Sequence, residues 1–211
     1  MFDNVAPRIT PTRFEKNLAG QHNEIVETMK LEVLEKDGYY HIYNRGINGC
    51  LIFENDENKS FFLKQFSKYL LGKISIFAYC LMDNHFHLVI RLNDEEKIVT
   101  QAFSNFFNSY VKAFNKDIDR TGSLFEKHFK RIKLNDEEYL KQLILYVHLN
   151  PKHHLDLKFE DYKYSSYQAF ISNKETKIER EEVLKLFGGL ENFIFCHNQR
   201  NDFLTEKHTL E

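Results

Sequence analysis

The sequence predicts an α+β fold, an antiparallel sheet dressed with helices. Three observations carry this reading. ISIFAYCLM (74–82) and HFHLVIRL (85–92) are β-rich runs that meet across the turn pair Asp83-Asn84. The segments 55–72 and 99–116 repeat large apolar residues at helical spacing. Strand-like and helical stretches follow one another in the order β-α-β-β-α-β-α.

YYHIYNRG (39–46) opens the domain as a strand, its tyrosines and isoleucine suited to a half-buried pleat. NDENKSFFLKQFSKYLLG (55–72) is the first helix. Phe62, Phe66, Tyr69 and Leu70 fall on one side of it, and Gly72 stands at its end. The two runs at 74–82 and 85–92 follow as neighbouring strands. VTQAFSNFFNSYVKAFNK (99–116) is a second amphipathic helix, and FKRIKL (129–134) a short strand. NDEEYLKQLILYVHLNP (135–151) is a third helix, with Asn135 as N-cap, Glu138 in the capping-box position and Pro151 as terminator. This order is that of a ferredoxin-like split βαβ sheet with helices on one face, extended by helical segments at both ends.

The 211 residues suit one domain with appendages. We divide them into an N-terminal, partly helical extension (1–36), a main domain (37–170) and a C-terminal helical tail (171–211). No apolar run approaches the ~20 residues of a membrane span, so no membrane partner is expected. The start lacks the order of a signal peptide, and Cys50, Cys80 and Cys196 form no CxxC pair. These features point to the cytoplasm. The net charge of −2 is not that of a globally basic nucleic-acid binder, so any such surface must be local.

Alternation along a strand places His85, His87, Val89 and Arg91 on one face, and Phe86, Leu88 and Ile90 on the other. The apolar set should pack on the helices, leaving the histidines exposed. Two adjacent imidazoles are half of a metal site, or simply two hydrogen-bonded histidines. No HExxH or cysteine-rich zinc pattern accompanies them. That favours a site completed by oxygen ligands.

In the third helix Leu140, Ile144 and Val147 form an apolar stripe. Gln142, Tyr146 and Asn150 form a polar one beside it. Tyr146 either projects its phenol toward chemistry or completes the core with its ring. A phenol ionises only near pH ~10, so a nucleophilic tyrosine needs a cation to stabilise the charge that develops. Divalent metal on the histidines is the natural source, and softness favours Mn²⁺ over Mg²⁺ there.

YYHIYNRG, AYCLMDNHFHLVI and EEYLKQLILYVHLNP together resemble the single-tyrosine HUH transposases, and among them the REP-associated tyrosine transposases. The likeness runs over roughly residues 38 to 170. It implies a metal-dependent endonuclease and strand transferase on single-stranded DNA, often beside a hairpin, working through a 5′-phosphotyrosine. Carried over, His85 and His87 are metal ligands, Tyr146 is the nucleophile, and Asn150 is a third ligand or orients one. The metal is Mg²⁺ or Mn²⁺, and the active unit a monomer or homodimer.

A local basic stretch fits such a substrate. Residues 111–133 carry Lys112, Lys116, Arg120, Lys127, Lys130, Arg131 and Lys133 against three acids, a local charge of +4. Phenylalanines are interleaved with these charges, as in single-strand grooves. Arg45, in the turn after the first strand, either holds a phosphate or caps that turn. Two other readings stay open. One is a non-catalytic module that stacks bases on a ferredoxin-like sheet. The other is a metal-dependent hydrolase that uses water, with Tyr146 structural.

Overall fold

The computed structural model describes residues 32–209, with side chains through residue 200. Most of the N-terminal extension expected at 1–36 lies outside the described residues. From Tyr39 onward the elements follow the expected order. Strand β1 (Tyr39–Arg45) leads to helix α1 (Asp56–Leu70), the hairpin β2 (Ile74–Met82) and β3 (His85–Leu92), and helix α2 (Glu96–Asp117). Strand β4 (Lys130–Leu134) precedes helix α3 (Glu137–Leu155). Shorter helices α4 (Tyr167–Ile171) and α5 (Arg180–Leu186) and a long α6 (Leu190–Thr209) complete the chain.

The four strands make one antiparallel sheet in the order β2-β3-β1-β4. This is the ferredoxin-like arrangement, in which each β-α-β crossover skips one position, filled by β3 in the first and by β1 in the second. Helices lie on both faces of the sheet, not on one as expected. Helices α1 and α2 cover the face formed by Tyr40, Ile42, Phe86, Leu88 and Ile90, packing through Phe62, Phe66, Phe103 and Phe106. The ring pairs Phe62–Phe106 at 4.8 Å and Phe62–Phe86 at 5.2 Å weld helix to helix and helix to sheet. Helix α3 covers the other face through Leu143, Ile144 and Val147, with α4 to α6 adding Phe170, Val183 and Phe193. The face bearing the histidines is therefore roofed.

A bulge in β2 between Ile76 and Ala78 lets that strand serve both cores. It changes the phase, so Ile74 and Ile76 join the first core while Cys80 and Met82 join the second.

Two helix boundaries differ from expectation. Asp136, not Asn135, caps α3, its carboxylate accepting from the Tyr139 N–H at 2.7 Å. Both residues are good caps, but the anion at Asp136 also complements the positive end of the helix dipole. Pro151 does not end α3. The helix runs on to Leu155 and closes on Asp156, whose left-handed backbone (φ 52°) turns its N–H back onto the Pro151 carbonyl.

Past Arg45 the chain turns at Gly46, where a Cβ would stand 2.0 Å from the Cys50 carbonyl oxygen. Only glycine fits so close an approach. The returning loop is stitched to the β2–β3 turn: Gly46 N–H donates to the Asn84 carbonyl at 2.8 Å, and Ile52 N–H to that of Asp83 at 2.8 Å. These bonds fix the start of β3, and with it His85, against the end of β1.

Candidate functional site

Three elements converge where β3 begins. Pairing of β1 with β3 sets Arg45 opposite His85 and Tyr43 opposite His87, all on the face that α3 covers. Tyr43, Arg45, Asp83, His85, His87, Tyr146 and His154 line a cleft of about 600 Å³ there, with Leu51 and Leu155 on its rim. A second cleft, of about 450 Å³ near Tyr39 and the start of α3, contains none of the expected site residues.

The rings form a continuous cluster. His85 and His87 stand 5.2 Å apart, edge to face. The ring of Tyr146 meets that of His87 at 5.6 Å, also edge to face. His41, on β1, lies against His87, its Nε2 2.9 Å from His87 Nδ1. Tyr43 stacks on His41 at 4.7 Å. From the last turn of α3, His153 reaches Tyr146 at 5.8 Å and His154 reaches His85 at 5.3 Å.

Both strand histidines are held neutral at pH 7. Burial, then the neighbouring His154, pushes His85 down to about 4, although the Asn150 carboxamide opposes the shift. Burial among the imidazoles of His41, His85 and His154 holds His87 well below its ordinary value. Neutral imidazoles offer lone pairs. His85 Nδ1 lies 2.7 Å from Asn84 Oδ1, an acceptor, so its proton sits on Nδ1 and Nε2 is left as the donor atom. His87 is arranged alike when its Nδ1 proton is given to His41 Nε2.

Asn150 is fully buried. Its Nδ2 donates to the Tyr146 carbonyl at 2.9 Å, which orients the amide. The other end, Oδ1, is buried, and its contact with His85 falls short of a well-formed hydrogen bond. Among the described residues no three His, Cys, Asp or Glu side chains draw together as a metal cluster. Two neutral imidazoles and a weakly satisfied carboxamide oxygen nevertheless form a donor set that fits a divalent cation.

The expected basic surface is not brought together. Arg45 lines the cleft and pairs with Glu126 at 3.2 Å. Lys130 lies opposite Tyr43 and so shares the histidine face. Arg131 and Lys133 lie opposite Ile42 and Tyr40, on the other face. There Arg131 is packed over the Phe129 ring and paired with Glu96 at 3.9 Å, and Lys133 is paired with Glu35 at 2.5 Å. Lys112 and Lys116 are exposed on α2, the helix of that same face. Arg120 holds its own loop through Asn115 and the Ser123 carbonyl, and Lys127 is exposed in the α2–β4 connection. Gln142 turns away to Glu138.

No protein-family model matches the chain, and no curated protein matches it. The fold has a solved counterpart. A REP-associated tyrosine transposase, determined bound to a REP hairpin, superposes with a TM-score of 0.55 over 70% of this chain and 87% of its own, at 11% identity. The tRNA(His) guanylyltransferase of Saccharomyces cerevisiae aligns over 77% of this chain and 82% of its own at the same identity, with a TM-score of only 0.40. At such identities the likeness to the transposase is one of fold.

Sequence reasoning missed His41, Tyr43, His153 and His154. The first two were legible by strand parity, because His41 and Tyr43 alternate on β1 as His85 and His87 do on β3. His154 was legible as the next member, four residues on, of the Tyr146–Asn150 stripe. It was hidden by taking Pro151 as the end of the helix.

Proposed function

We propose that this chain is a metal-dependent endonuclease and strand transferase for single-stranded DNA, cutting and rejoining beside hairpins through a 5′-phosphotyrosine. The observation that carries the reading is the convergence in one cleft of a tyrosine and two neutral imidazoles, with the buried Asn150 carboxamide one helical turn from that tyrosine. The shared fold with a transposase that binds a hairpin supports it.

In this reading His85, His87 and Asn150 hold a divalent cation, Mg²⁺ or Mn²⁺. When bound, that cation polarises the scissile phosphate and offsets the charge that develops there. Tyr146 makes the bond: its hydroxyl oxygen attacks phosphorus and surrenders its proton. The bond from phosphorus to the 3′ oxygen of the preceding nucleotide breaks, and that oxygen leaves as a hydroxyl. Attack of a 3′ hydroxyl on the phosphotyrosine reverses the step and rejoins the strand. His41 orients His87, while Arg45 and Lys130 meet the DNA backbone on the same face. All these side chains come from one chain, which suits a monomer or a homodimer with independent sites.

The test is incubation of the full chain with end-labelled DNA hairpins carrying single-stranded flanks, with Mn²⁺ or Mg²⁺, followed by a denaturing gel. A metal-dependent covalent adduct is expected, and it should vanish in Tyr146→Phe. Cleavage that survives in Tyr146→Phe would instead make the protein a hydrolase using water. Binding with no cleavage across a hairpin library would make it a recognition module.

A further inference from the structure

We infer that His154 is a further ligand for the cation, and that the site prefers an imidazole-binding metal such as Co²⁺ or Mn²⁺ to Mg²⁺. The inference rests on the metal-dependent reading above and concerns a residue which that reading does not use. Because α3 continues through Pro151, Tyr146, Asn150 and His154 fall at i, i+4 and i+8, one stripe of the helix. The stripe therefore presents an oxygen donor and, one turn later, an imidazole.

The spacing fits. Nitrogens bound at about 2.0–2.1 Å to one cation leave two imidazole centres roughly 5 Å apart. His85 and His87 are 5.2 Å apart with their planes at 83°, and His85 and His154 are 5.3 Å apart at 79°. His154 thus stands at the same ring separation from His85 as His87 does. The three imidazoles do not draw together as they stand, but the His154 side chain is exposed in the cleft and reaches the cation by turning, without disturbing the core.

The charged groups around the cleft are engaged elsewhere. Asp83, the acid beside His85 and the natural hard donor, is held by Lys59 at 2.7 Å. Arg45 is paired with Glu126. With the carboxylate committed, the available donors are mostly nitrogen. Imidazole suits first-row transition metals, whereas Mg²⁺ demands oxygen and gives up its water reluctantly.

The test is calorimetric titration of the metal-free full chain with Co²⁺ and, separately, with Mg²⁺, in wild type, His154→Ala and His85→Ala. The visible spectrum of the Co²⁺ form gives a second readout. We expect wild type to bind Co²⁺ more tightly than Mg²⁺. His154→Ala should weaken Co²⁺ binding by about tenfold or more, the scale that losing even an outer-shell partner produces, and should shift the spectrum. Its Mg²⁺ affinity should change by less than about threefold. Metal-free thermal unfolding of His154→Ala should match wild type, because the residue is exposed. The inference is overturned if Co²⁺ affinity and spectrum are unchanged in His154→Ala while His85→Ala abolishes binding. If His85→Ala binds like wild type, or wild type binds neither metal, the metal-dependent reading itself falls.

Discussion

Tyr146 presents the edge of its ring to His87, with the ring centres 5.6 Å apart. The phenol ring is thereby held in place beside the imidazoles. Tyr146→Phe keeps the ring and should alter stability by no more than about 1.5 kcal/mol, the net worth of a hydrogen bond. Hairpin binding should persist while the covalent adduct disappears. Tyr146→Ala removes the ring as well and should cost roughly 2–4 kcal/mol, by analogy with large-to-small core changes. Urea denaturation beside the adduct assay separates the two effects.

Asn150 offers a sharper test of the donor set. Asn150→Asp puts a carboxylate where the weakly satisfied Oδ1 lies, in a fully buried position. Without metal that charge should cost several kcal/mol, or be relieved by protonation. Saturating Mn²⁺ should restore the loss, so the metal-induced rise in Tm should be larger in Asn150→Asp than in wild type. Equal rises in the two proteins would remove Asn150 from the metal site.

The basic residues should divide by sheet face. Lys130 shares the face of Tyr43 and the histidines, whereas Lys133 sits behind the sheet with Glu35. Lys130→Ala should weaken hairpin binding and lower the dependence of log affinity on log salt by about one phosphate contact. Lys133→Ala should leave both within about twofold of wild type by the same reasoning. Binding isotherms at several salt concentrations give both quantities.

A second buried histidine pair should make stability fall in acid. His148 Nδ1 lies 2.9 Å from His197 Nε2, and its Nε2 lies 2.8 Å from the Ser166 hydroxyl, joining α3 to α6 and to the segment before α4. Burial pushes His197 down to about 4 and, with the neighbouring His197, holds His148 well below its ordinary value. The unfolded chain takes up these protons near pH ~6.5 and the folded chain does not. The contribution to stability is therefore complete above that pH and is lost as pH falls toward 4. For His197 alone the loss is roughly 3 kcal/mol. Urea midpoints measured between about pH 7.5 and 4.5 should fall accordingly, and less steeply in His197→Phe.

Strand parity was enough to separate His85 and His87 from Phe86, Leu88 and Ile90, and glycine and turn chemistry placed the hairpin. What parity could not reveal was the second layer. An alternating strand looks half exposed until something covers its other face, and Val89 alone gave little sign that α3 would do so. Buried polar pairs such as His41–His87 are equally invisible in a sequence, because their partners come from different strands. Pro151 misled for a local reason. Proline removes one helical hydrogen bond, yet the turn beyond it is held by the Asp156 cap and by Pro151 packed in the core. The basic stretch was a contiguous run in sequence that the sheet deals out to opposite faces.

The docking of α3 has a kinetic corollary. Leu143, Ile144 and Val147 are sunk in the second core on the same helix that bears Tyr146, and His148 anchors that helix to Ser166. Swinging the tyrosine away from its own histidines would require tearing up that core. Under the proposed function, the moving part between breaking and resealing a strand would then be the nucleic acid: one DNA end stays tethered to a stationary post while the other is exchanged.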